Sequence, residues 1–84
     1  MQMISILLYN RNGNVGIIVR KPGELYSLLS GLTIIEFEKL KKTLSKIASK
    51  WNCQSGNKTT NCYFEVDTND IKYVMNIIKQ CVNE

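Results

Sequence analysis

The feature that most constrains this chain is the dipeptide Asn12-Gly13, set between the apolar runs Ile6-Leu7-Leu8-Tyr9 and Val15-Gly16-Ile17-Ile18-Val19. A type I′ turn requires positive φ at both central residues, and Asn-Gly supplies that at low steric cost. Met3 to Asn10 and Val15 to Lys21 are therefore expected to be two antiparallel strands. The two-residue loop also fixes their register, because strand side chains alternate between faces with a period of two. Leu8 should face Ile17, and Ile6 should face Val19, on a core side that includes Ile4. Leu7 then opposes Ile18, Tyr9 opposes Gly16 and Ser5 opposes Arg20 on the other side.

Downstream, Lys21-Pro22-Gly23-Glu24 places Pro and Gly at the two central positions of a type II turn. In the following ELYSLLSG, Leu25, Leu28 and Leu29 have helical spacing, whereas the tight turn before them favours a third strand; a short irregular element is expected. Thr33 followed by Glu36 is a capping box, and Leu32 with Phe37 brackets it as a hydrophobic staple, so a helix should begin at Ile34. Phe37, Leu40, Leu44, Ile47, Ala48 and Trp51 form one apolar stripe along it, and Asn52 to Gly56 ends it. A strand from Cys62 to Val66 puts Cys62, Phe64 and Val66 on one face. The last helix opens in Asp67-Thr68-Asn69-Asp70 and presents Ile71, Val74, Met75, Ile78, Cys81 and Val82. This order predicts one α+β domain over 1–84. Its small antiparallel or mixed sheet combines the N-terminal hairpin with a later strand, and two amphipathic helices pack on one face while the other face stays open.

At 84 residues the chain buries only about 60 to 65 per cent of its unfolded surface, enough for a single thin core and no deep cleft. Its net charge of +4 suits an anionic partner such as RNA or DNA. MQMISILLY lacks a basic leader and a long apolar run, and no segment reaches the length of a membrane span, so a cytoplasmic protein without membrane attachment is expected. In that compartment Cys53, Cys62 and Cys81 should be thiols. A bridge between Cys53 and Cys62 would require the intervening loop to fold back.

Lys39, Lys42, Lys46 and Lys50 fall within about 80° of one another on the predicted helix, opposite the Leu40 and Leu44 stripe. They read either as a phosphate-tracking ridge or as an ordinary solvated face, with Lys46 and Lys50 at the negative end of the helix dipole. The three cysteines lack CxxC spacing and the chain contains no His, so a zinc site would want a fourth strong ligand, and no metal or cofactor is expected. Without His beside a nucleophile, and with Asp67 and Asp70 placed where acids cap helices, the chain is not expected to be an enzyme.

In order, the chain resembles the translation initiation factor one family, the start-codon fidelity factor of eukaryotes and archaea. Arg11-Asn12-Gly13 is similar to the RNG of that family's basic hairpin loop. Ser30-Gly31-Leu32 precedes a lysine-rich helix as the family's GL does, and EFEKLKKTLSKIASKWNC runs to Cys53 and Gly56 much as the family's helix ends in a Cys and a Gly turn. The family's Gly-Asp before the last helix has no counterpart in Val66-Asp67-Thr68-Asn69-Asp70, and only Arg11 remains of a basic loop. The resemblance implies binding to the small ribosomal subunit RNA and the initiation complex near the P site. Arg11, Asn10 and Asn14 would act through the loop, and Lys39, Lys42, Lys46 and Lys50 through the helix. The competing expectation is a protein-interaction module, for instance a virus or phage-encoded inhibitor. It would grip a single protein partner with Leu7, Tyr9, Ile18 and Arg20 on the open sheet face.

Overall fold

A computed structural model describes residues 2–82. The strands are β1 (Met3–Arg11), β2 (Asn14–Lys21), β3 (Glu24–Leu32), β4 (Lys50–Gly56) and β5 (Thr59–Asp67). Helix α1 (Ile34–Ile47) separates β3 from β4, and a 3-10 turn at Thr68–Asp70 leads into helix α2 (Ile71–Val82). All five strands form one sheet in the order β3-β2-β1-β5-β4, and each neighbouring pair is antiparallel. The fold is α+β, as the alternating and helical periodicities predict.

The first hairpin has the expected register, with Leu8 opposite Ile17, Leu7 opposite Ile18 and Tyr9 opposite Gly16. Asn12 and Gly13 hold φ of 54° and 90°, and the Asn10 side-chain carbonyl accepts from the Gly13 N–H at 3.0 Å. Gly23 has φ of 83°, the left-handed value that the turn before β3 needs. The capping box is complete: the Glu36 N–H donates to Thr33 Oγ1 at 3.0 Å and the Thr33 N–H donates to Glu36 Oε1 at 2.8 Å. Together these bonds satisfy two otherwise orphaned donors.

Ile4, Ile6 and Leu8 of β1, Val15, Ile17 and Val19 of β2, and Cys62, Phe64 and Val66 of β5 are all buried. Phe37, Leu40 and Leu44 of α1 and Val74 and Ile78 of α2 close over them in one cluster. Ile77 is buried too, outside the predicted stripe.

Three expectations are corrected. ELYSLLSG is strand β3, not a short irregular element, because pairing with β2 along Gly16 to Lys21 satisfies the backbone groups that face β2, with register shifts at Tyr26 and Gly31. Helix α1 stops at Ile47: Ala48 turns to an extended conformation (ψ 141°), and the Ser49 N–H donates to Glu65 O at 2.8 Å, leading the chain into β4. The apolar spacing that continues to Trp51 has a different cause, since Trp51 lies opposite Phe64 in the sheet. Finally, Cys53 and Cys62 are joined as a disulfide across β4 and β5, and only Cys81 is a free thiol. The loop does fold back, through a tight turn at Asn57-Lys58 with Lys58 at φ 62°. Among the described residues no helix is long and apolar enough to cross a membrane.

Candidate functional site

The lysines expected to form one ridge are divided. Lys39, Lys42 and Lys46 are exposed on α1, whereas Lys50 belongs to β4 and stands in register with Glu65. Arg11 is exposed at the end of β1 opposite Thr59, with its guanidinium carbon 4.8 Å from the centre of the Tyr9 ring. Thr59 and Glu65 lie six positions apart on β5, so Arg11 and Lys50 mark opposite ends of the sheet, roughly 20 Å apart at strand rise. Asn10 caps its own turn, and Asn14 is exposed where β2 begins. The fold therefore does not gather the seven residues into one surface.

It does place Leu7, Tyr9, Ile18 and Arg20 together on the face away from the helices. Tyr9, however, has a packing role: a Cβ at Gly16 would run into the Tyr9 ring and come within 2.8 Å of Leu29 O. Glycine there lets the ring lie flat on the sheet.

A different region has the attributes of a recognition element. All seven residues of β4 are exposed, and among the described residues its only strand partner is β5. Asn57-Lys58 closes the hairpin, so hydrogen-bonded and non-hydrogen-bonded pairs alternate from Gly56 opposite Thr59. That alternation turns the backbone N–H and C=O of Trp51, Cys53 and Ser55 outward, unpaired. The Cys53–Cys62 disulfide pins the middle of β4 to the buried side of β5, and the Trp51 and Phe64 rings stack with centroids 6.1 Å apart. Trp51 is nevertheless 50% exposed. Lys50, Trp51, Asn52, Tyr63 and Glu65 line a shallow groove of about 380 Å³ beside this edge. From Ser49 to Phe64 the charged residues are Lys50 and Lys58, with no acid among them.

The sequence carried a signal for this hairpin: Cys53 and Cys62 are equidistant from Asn57-Lys58, so a two-residue turn brings them directly opposite. The helical spacing running through Trp51 masked it.

A family model described as Insulinase (Peptidase family M16) matches residues 27–84, more than half of the chain. No curated protein and no solved structure matches it. The family match overturns the resemblance to translation initiation factor one, and with it the ribosomal role and its initiation-complex partner. The alternative of a virus or phage-encoded inhibitor acting through the open sheet face gains no support from it either. The structure shows why the local likeness misled. The quoted EFEKLKKTLSKIASKWNC is not one helix ending in a Cys and Gly turn, because its last residues are strand β4 and its Cys is bonded to Cys62.

Proposed function

Because the chain belongs to the insulinase family, peptidase family M16, over residues 27–84, we propose that it is a peptide-binding module of that family that does not itself hydrolyse the peptide. The observation that carries this reading is β4, a rigidly fastened edge strand with outward-facing backbone groups and a cationic border. An extended peptide can pair with Trp51, Cys53 and Ser55 as a sixth strand, the main-chain bonds providing affinity and the flanking side chains selectivity. Trp51 offers a half-exposed indole to an apolar side chain, and Lys50 and Lys58 favour acidic ones.

Hydrolysis requires an activated water or a nucleophile held beside a base. This chain contains no His, and Cys53 and Cys62 are oxidised to a disulfide. Among the described residues no group of three or more His, Cys, Asp or Glu side chains could hold a metal ion. The Asp67 carboxylate is engaged as a cap, accepting from the Asn69 N–H at 2.9 Å.

Trp51 is the single tryptophan, which makes its emission a local reporter. Titration with an acidic extended peptide is expected to shift that emission, while mass spectrometry finds the peptide intact. Ser55→Pro removes one outward N–H without removing a ladder bond to β5, and should weaken binding about tenfold, the equivalent of one net hydrogen bond. Cleavage of the peptide by the purified chain would refute the non-hydrolytic role, and undiminished binding by the Ser55→Pro variant would refute the edge.

A further inference from the structure

The opposite edge of the sheet has another character. Strand β3 carries one charge, Glu24 at its start, and none from Leu25 to Leu32. Leu25 is 52% exposed and Leu28 is 53% exposed. Native edges are normally blunted by charge, proline, a bulge or a covering element. The register of β3 on β2 shifts at Tyr26 and at Gly31, and the regular stretch between them, Ser27 to Ser30, is an uncharged template for pairing. Leu28 lies on the open face, in register with Ile18, which is in turn opposite Leu7 and then Tyr63. Ser27 and Leu29 lie on the helix face, opposite Val19 and Ile17. There a groove of about 190 Å³ opens between β3 and α2, lined by Ser27, Leu29, Met75, Ile78, Lys79 and Val82.

We propose that β3 pairs antiparallel with β3 of a second copy of this chain, about a two-fold axis at Leu28, to make a continuous ten-stranded sheet. The order of side-chain sizes selects this occupant. With Leu28 opposite its own symmetry mate, Ser27 meets Leu29 of the other copy within the regular stretch, so the pair on each side of the axis joins a large side chain to a small one. Leu29 of each copy then projects towards the apolar groove that the other copy leaves open over Ser27. Leu25 to Leu32 carry no charge, so the seam opposes no like charges, which would destabilise a directly facing pair. An axis perpendicular to the sheet keeps each facing pair on one face, as antiparallel pairing requires. It extends the apolar row from Tyr63 to Leu28 straight into its copy. Because the contact is isologous, it closes at two chains and leaves both β4 edges at the outer ends of the assembly.

Sedimentation equilibrium at micromolar concentration should return twice the 9.6 kDa chain mass. Leu28→Lys sets two like charges face to face on the axis and should return the single-chain mass with an unchanged far-ultraviolet circular dichroism spectrum. In a Cys81→Ser background, Leu28→Cys brings two introduced thiols directly opposite each other, and mild oxidation should yield a covalent dimer on a non-reducing gel. This keeps the test decisive should the lysine variant fail to fold. A single-chain mass for the unmodified protein, an unchanged mass for Leu28→Lys, open-ended polymers, or loss of the dimer on Ser55→Pro would each overturn the proposal. Peptide binding at β4 is read separately by Trp51 emission, so either assignment can fail without the other.

Discussion

Strands β3 and β4 occupy equivalent places at the two ends of one sheet, yet they are held and finished in opposite ways. Strand β4 has no buried residue and is fastened covalently through Cys53 to a cysteine in the core of β5. Strand β3 has no covalent tie; it is held by its ladder to β2 and by Leu29 and Leu32, which pack against the core. The fastened strand is polar and cationic, whereas the strand held by packing is uncharged. An edge that must stay open to solvent can spend no side chains on burial, so a disulfide does the fastening. An edge with apolar side chains to spare is one that a second chain can cover.

The largest expected effect that separates the edges comes from Cys53→Ser. Removing a cross-link that closes a short loop should cost about 2–4 kcal/mol of unfolding free energy. In hydrogen exchange the loss should be greatest at β4 amides, with β3 protection falling only by the global change. Equal loosening of β3 would show that the two edges are not independently held. Gly16→Ala is the converse perturbation. Its methyl meets the Tyr9 ring and the Leu29 carbonyl at 2.8 Å, so it should displace β3 and cost about 1–3 kcal/mol in chemical denaturation. The Cys53–Cys62 hairpin should be unaffected by nuclear magnetic resonance shifts.

A smaller effect is expected from Trp51→Ala, which removes the stack on Phe64 and should cost about 1 kcal/mol while weakening peptide binding followed by calorimetry. Smallest of all is Leu28→Lys measured on the isolated chain. Its side chain is already exposed, and at concentrations dilute enough for the unmodified protein also to be a single chain the unfolding free energy should stay within about 0.5 kcal/mol. A large destabilisation would mean that Leu28 belongs to the core and that β3 is less open than its exposure indicates.

Much of the fold is legible in local chemistry. Asn12-Gly13 dictates one turn geometry, and that geometry fixes the β1–β2 register residue by residue. Thr33 and Glu36 mark the start of α1 because two backbone donors need those two side chains. The other end of α1 was illegible for an equally local reason. Ala48 and Trp51 continue a helical period by position, while the Ser49 bond to Glu65 and the Trp51 pairing with Phe64 depend on a strand that arrives later in the chain. Strand β3 was ambiguous because Leu25, Leu28 and Leu29 fit a helix face as well as a bulged strand, whose register shifts between Val19 and Arg20. The candidate edge is hidden together with β4 itself, and the disulfide is hidden because a reducing compartment argues for thiols, while Cys53 and Cys62 face each other only once Asn57-Lys58 is a turn between two strands. The family was misjudged because short matches such as RNG and GL reflect turn and cap requirements that unrelated domains share.

The central position of β1 also divides the sheet into two units of local pairing. Strands β1 to β3 form one meander of near neighbours in sequence, and β4 and β5 form a second hairpin across a two-residue turn. The two units meet along a single ladder that pairs Met3 with Asp67 and Arg11 with Thr59, and at their tips the Asn12 N–H donates to Lys58 O at 2.7 Å. Each unit can form from local contacts in microseconds, but the ladder between them closes a loop of about half the chain, with α1 inside it. The sheet is thus held in one piece by its single long-range ladder, and the tip-to-tip bond at Asn12 sits at the end of that ladder where the loop to be closed is shortest.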